Sequence, residues 1–189
     1  MSVYGDGLSA FGNAQTVEIP PDLVASPFGG IANTNDATAK VPLGTLYRYK
    51  GKLYRYVKFV KQTNSNTAVL GSVMFWHTTQ FDPGAGKFSV TGDYTYALAG
   101  LNAIAGVLLC TVTDGYCTWI QVGGYGYAFV AASTVAGDKM IGTADDTMYF
   151  NRIAGATAEI TSVVFAIALS SVSSNKSYVL ILPGVLASF

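Results

Sequence analysis

The densest strand-like pattern in the chain is Gly106–Val130, GVLLCTVTDGYCTWIQVGGYGYAFV. β-Branched and aromatic residues fill it, and two glycine-containing breaks divide it. The pattern predicts three antiparallel strands: Val107–Val112, Cys117–Val122 after an Asp114-Gly115 turn, and Tyr125–Val130 after Gly123-Gly124. Asp-Gly between β-branched runs is a strong hairpin signal, because a type I′ turn needs positive φ at both central residues. Such a turn sets Val112 opposite Cys117 and Cys110 opposite Trp119. Leu108, Cys110, Val112, Cys117 and Trp119 then share one face, and Val107, Leu109, Ile120 and Val122 the other. A half-solvated antiparallel sheet alternates apolar with polar residues. Here both faces are apolar, so the hairpin is expected to be covered twice, by its own core and by something else.

A second hairpin is predicted at Gly44–Lys61, with Lys50-Gly51 at its tip. Setting Tyr49 against Lys52 places Tyr47, Tyr49, Tyr54, Tyr56 and Lys58 on one face. Leu46, Arg48, Leu53, Arg55, Val57 and Phe59 lie on the other. Further strands are expected at Val69–Trp76 and Tyr94–Leu98, with a turn at Asp82-Pro83-Gly84. The chain closes with Ser162–Leu169, a polar loop and Ser177–Leu182. This last pair repeats the apolar run, turn and Gly-terminated apolar run of the central hairpin, a hint of a duplicated strand pair. Ala97–Ile104 is the one helix candidate. The fold class is all-β, an antiparallel β-sandwich or barrel of jelly-roll-like type.

Residues 1–42 break this pattern with scattered Gly, Asn and Pro and no sustained period. They still carry Phe11, Val17, Ile19 and Phe28 at low charge, unlike a solvating disordered tail. They are read as an extended N-terminal arm, docked on its own body or on another subunit, beside a body at 43–189.

Half of the 189 residues are apolar and only 12% are charged, against about 25% in an average soluble domain. Eleven basic residues balance eleven acidic ones, so no net field favours nucleic acid or an anionic membrane. A weakly charged surface is poorly protected against association. No stretch reaches the ~20 apolar residues of a membrane span, and the first residues lack the basic and apolar regions of a secretory signal. Cys110 and Cys117 sit on one face but out of direct register, so two buried thiols are expected, as suits a reducing cytosol.

Residues that carry chemistry are sparse. The single histidine, His77, has no partners at a recognisable triad or metal spacing. Gly84-Ala85-Gly86-Lys87 resembles the end of a phosphate loop, but Phe81 stands where its first Gly belongs and Phe88 where Ser or Thr must meet Mg²⁺. Glu18 and Glu159 are the only glutamates. No enzyme, cofactor or metal is therefore expected. The one strong electrostatic feature is basic: six of the eleven cations lie between Arg48 and Lys61, with no acid from Ala37 to Phe81. Aromatics interleaved with Lys and Arg suit single-stranded nucleic acid or a wet protein interface. Neutral net charge favours the interface. The candidate interface residues are Tyr47, Arg48, Tyr49, Tyr54, Arg55, Tyr56 and Lys58, together with Phe11, Val17, Ile19 and Phe28 of the arm.

The order of motifs in 105–184 resembles the head decoration, or capsid cement, proteins of tailed bacteriophages. The residues concerned are Ala105–Leu109, Asp114-Gly115-Tyr116 leading into Trp119–Gly124, Val135–Ile141, Val164–Leu169 and Tyr178–Leu182. The family's "vGvAL" strand lacks its usual Gly here, at Phe165–Leu169. The resemblance implies a β-sandwich or β-barrel body on the outer surface of the phage head. Its implied partners are the major capsid protein and other copies of itself, as a trimer rather than a dimer. It implies a non-enzymatic virion component made in the host cytoplasm, with no membrane and no nucleic-acid partner. Tail-fibre and receptor-binding proteins share similar strand pairs and are the alternative. A small single-stranded nucleic-acid-binding barrel is the alternative of another class.

In denaturant without reductant, two thiols per chain should react with a thiol reagent; recovery of none would show that the cysteines are paired.

Overall fold

The computed structural model describes residues 34–61, 68–93, 96–97, 104–142, 148–152 and 165–182. Ten strands form within them: β1 (Leu46–Tyr49), β2 (Lys52–Phe59), β3 (Val73–Asp82), β4 (Lys87–Thr91), β5 (Ile104–Leu108), β6 (Cys117–Phe129), β7 (Lys139–Gly142), β8 (Phe150–Arg152), β9 (Ala166–Ala168) and β10 (Lys176–Ile181). The fold is all-β, with no helix longer than a 3-10 turn at Pro83–Ala85 among the described residues. Of the predicted arm, residues 1–33 lie outside the described residues, as does most of the helix candidate Ala97–Ile104.

Strands β2, β4, β3, β5 and β6 pair in that order, and β6 pairs back onto β2, closing a barrel. All its pairings are antiparallel except β2 with β4. β1 is attached to β2 outside the ring. Alternation sends Val57 and Phe59 of β2 inward to meet Met74, Trp76, Val90, Leu108, Ile120 and Val122. Burying each such side chain contributes about 1.5–3 kcal/mol.

β6 is long enough to serve a second sheet. Its first half pairs with β2 and β5, and Gly124–Phe129 pair with β10, followed by β9, β7 and β8. A parallel bridge from Val130 to Phe150 returns β8 to the end of β6. The inner face of this sheet forms a second core, with Ala128, Met140, Phe150, Ala166, Val179 and Ile181 packed against Val73 and Val107 on the back of the barrel.

The register of the central hairpin differs by one residue from the sequence expectation. Val107 lies opposite Gln121 and Leu108 opposite Ile120, so Leu108 shares a face with Ile120 and not with Trp119. Two causes are visible. Asp114-Gly115 is a turn, closed by Tyr116 N–H donating to Thr113 at 3.1 Å. Only Gly115 has positive φ (+78°), which fits a type II turn, not type I′. In addition, Asp36 exchanges both main-chain hydrogen bonds with Cys117, at 2.8 and 2.9 Å. It occupies the edge that Val112 was expected to fill. The thiols of Cys110 and Cys117 are buried and not joined.

Gly123-Gly124 does not break the strand either. A bulge lies there, since Leu53 pairs with Gly123 but Tyr54 with Gln121. The buried Gln121 carboxamide folds over it, its Nε2 donating to the carbonyls of Gly123, Gly124 and Tyr125 at 3.1, 3.2 and 2.9 Å. Gly124 takes φ +83°, and a Cβ there would lie 2.5 Å from the Gly51 carbonyl oxygen. Only glycine fits where β6 leaves one sheet for the other. The predicted strand at Val69–Trp76 is also displaced: β3 starts at Val73 and continues to Asp82, turning where expected. There the Asp82 carboxylate accepts from Ala85 N–H at 3.2 Å.

Gln121→Leu should lower unfolding free energy by about 1–3 kcal/mol, because it leaves the buried Gly123 carbonyl and two part-buried ones without the amide donor; urea titration measures it. Gly124→Ala should be at least as damaging. A wild-type midpoint for either would show that the bulge does not depend on these groups.

Candidate interaction surface

The β1–β2 hairpin forms in the expected register, Tyr47 opposite Tyr54 and Tyr49 opposite Lys52. Lys50 and Gly51 both have positive φ, +46° and +75°, the type I′ combination that lets a two-residue loop match strand twist. The aromatic face is therefore built as the alternation predicts. It does not face solvent throughout.

Tyr54, Tyr56, Cys117 and Trp119 form a buried cluster, with Tyr47 and Tyr49 packed at its margin. Trp119 meets Tyr56 at 5.1 Å and Tyr47 at 6.1 Å between ring centroids, both inclined. Residues 34–43 lie over the cluster as a strap. Val41 and Leu43 supply its apolar contacts. Tyr56 Oη donates to Asp36 Oδ2 at 2.8 Å, and Lys40 Nζ approaches Asp36 Oδ1 at 3.0 Å. Asn35 closes a reciprocal pair with Thr113, each bond 3.0 Å, and the Cys110 thiol donates to the Thr34 carbonyl. The end of the predicted arm thus packs on the chain's own body. The exposed Lys40 adds little energy; the buried Tyr56–Asp36 bond and apolar contacts hold the strap.

Burial sets the chemistry of these groups. Tyr54 is pushed up to about 12, first by desolvation and then by Tyr47 and Tyr49. Tyr56 is raised further, chiefly by burial and then by its bond to Asp36. Burial also raises the Cys117 thiol, so it is not an activated nucleophile. His77 is held below its ordinary value by burial and its Nδ1 accepts from Thr79 N–H at 3.2 Å. Among the described residues, no three His, Cys, Asp or Glu side chains converge as a metal site.

The predicted interface residues therefore separate. Tyr54 and Tyr56 are interior. Arg55 points into the barrel mouth, its guanidinium 5.6 Å from the ring centroids of both Trp76 and Phe88. Its Nε is buried without a hydrogen-bond partner, and desolvation lowers its pKa. Arg48 is exposed on the edge strand, and Tyr47, Tyr49 and Lys58 are half-buried. Phe11, Val17, Ile19 and Phe28 lie outside the described residues. The main exposed aromatic surface is elsewhere, on the outer side of the second sheet at Tyr125, Tyr127 and Tyr178. Its signal was the alternation Tyr125-Gly126-Tyr127-Ala128-Phe129, large residues on one face and small on the other.

No family model and no curated protein matches the chain. Among solved structures, the N base of the head fibre gp8.5 of bacteriophage phi29 is similar over 68% of this chain and 93% of that one, at 12% identity and a TM-score of 0.39. A likeness at that score carries no functional argument.

Tyr56→Phe should loosen the strap, costing about 0.5–1.5 kcal/mol and accelerating limited proteolysis within residues 34–43. Alkali provides a second test. Tyr54 holds its proton more tightly when folded than when unfolded. Its contribution is fully present below its ordinary value of 10 and is lost as pH rises through about 12. Tyr54→Phe should flatten the fall in stability across that window; an unchanged profile would remove Tyr54 as its cause.

Proposed function

We propose that this chain is a structural protein of a tailed-bacteriophage virion that decorates the outer surface of the head and reinforces it. The observation that carries the reading is the character of the exposed surface. Tyr125 and Tyr178 are each 48% exposed, and they lie on a regular sheet face in a chain with only 12% charged residues. Contiguous exposed apolar surface marks association more than chemistry. The strand and turn order of 105–184, resembling decoration proteins, supports the same reading.

In this reading the partners are the major capsid protein and further copies of the chain, and the work is done by surface burial, multiplied over many sites on one particle. The nucleic-acid alternative needs open tyrosine rings for stacking. Tyr54 and Tyr56 offer none, being packed under the strap.

Quantitative mass spectrometry of purified particles tests the proposal. A copy number comparable with the major capsid protein is expected. A handful of copies per particle would instead place the chain in a tail or fibre, and absence from particles would overturn the virion role.

A further inference from the structure

We propose that the outer face of the second sheet is the docking surface of this protein, and that its occupant is a carboxylate-bearing surface of a neighbouring virion protein. This deepens the head-decoration reading and rests on it.

Beyond the Gly124 bend, β6 presents Tyr125, Tyr127 and Phe129 outward, while Gly126 and Ala128 turn inward. The paired strand β10 sets Leu180 opposite Tyr125, Tyr178 opposite Tyr127 and Lys176 opposite Phe129. The side chains form a continuous ladder. Lys52 Nζ lies 5.9 Å from the Tyr125 centroid. Tyr178 lies 5.4 Å from both Tyr125 and Tyr127. Lys176 Nζ follows, 5.8 Å from Tyr127 and 4.8 Å from Phe129, and Phe129 stacks on Tyr149 at 5.2 Å. Within the ladder the rings lie against one another or against ammonium groups. What faces outward is ring edges, phenolic hydroxyls and the Leu180 side chain, 37% exposed.

This arrangement selects its partner by chemistry. Base stacking needs open ring faces, and here the Tyr125 and Tyr178 faces are turned to each other, 13° from parallel. Hydroxyl-tipped aromatic edges suit a protein surface, where Tyr gives large contact area at low entropic cost. The charge is of one sign. Among the described residues, no outward strand position of this face is Asp or Glu, whereas Lys139 and Lys176 are outward. The nearby Asp138 lies in the turn before β7, off the strand positions of this face, and accepts from Val135 N–H at 2.9 Å. A second copy of the same face would bring two lysine-bearing faces together. An acidic surface complements it, steering association and fixing register.

The test uses the full-length chain and heads purified without it. Tyr125→Ser/Tyr178→Ser alters two half-exposed positions, so circular dichroism should match wild type and thermal unfolding should fall only by the loss of their stack, leaving the chain folded at the binding temperature. Binding to heads should weaken about tenfold or more, as for anchors at an interface centre. Lys139→Glu/Lys176→Glu should also weaken binding and flatten its dependence on salt. Lys87→Glu, exposed at the β3–β4 turn, should bind as wild type. Wild-type binding by both double variants would overturn the proposal. So would a self-associated state on a sizing column that Tyr125→Ser/Tyr178→Ser dissolves, since the occupant would then be a second copy. If the wild-type chain does not bind heads, the head reading fails separately. Hydroxyl-radical footprinting on whichever particle part carries the chain then decides the face. Protection of Tyr125 and Tyr178 there supports it, and labelling equal to the free chain overturns it.

Discussion

One strand must serve two sheets, and the rest of the molecule depends on how it changes partners. A strand that bulges and turns inside a protein leaves carbonyls facing inward without ladder donors, and each orphan costs free energy comparable to a lost hydrogen bond. Gln121 offsets much of that cost by sharing the two protons of one buried amide among three successive carbonyls. Gly124 removes the steric half of the problem, allowing the β1–β2 turn to sit against the bend. With both in place, β6 closes the barrel on one side of the bulge and founds the second sheet on the other. Neither core forms without it, because Ile120 and Val122 face one and Ala128 the other.

The two apolar faces of the central hairpin follow from this design. One lines the barrel. The other is divided, with Val107 packed against the second sheet and Trp119 under the strap of residues 34–43. The covering that the sequence demands is thus supplied by the chain itself. Two-sided hydrophobicity measures how deeply a strand is sandwiched and says nothing of whether the second layer belongs to the same molecule. Among the described residues the second sheet is packed on one side only, and its other side is the docking surface proposed above.

The basic hairpin gives the complementary lesson. Its alternation of Tyr with Lys and Arg has the composition of a contact surface, but a tyrosine with a buried partner for its hydroxyl is also good core material. Asp36 is that partner for Tyr56, twenty residues earlier in the chain. Arg55, in phase with Val57 and Phe59, instead lies against Trp76 and Phe88. Its long aliphatic stem and flat cation let a charged residue occupy an inward position at the barrel mouth.

Local patterns in the sequence determined several of the strands and turns, but β4, β7 and β8 fall where no strand was expected. The β-fold, the β1–β2 register, the Lys50-Gly51 turn and the pairing of the closing strands are set by period-two alternation and by glycine chemistry, which act between near neighbours. The register of β5 on β6, the continuity of β6 through Gly123-Gly124 and the burial of Tyr54 and Tyr56 were decided by tertiary structure. In each case the deciding group is distant in sequence or hidden in polarity: Asp36 for the edge beside Cys117, the Gln121 amide for the bulge, residues 34–43 for the tyrosines. Hydrogen-bond satisfaction and the identity of a covering layer are properties of space, not of spacing. That is why the outer ladder of Tyr125, Tyr178 and Lys176 becomes visible only when two strands fifty residues apart lie side by side.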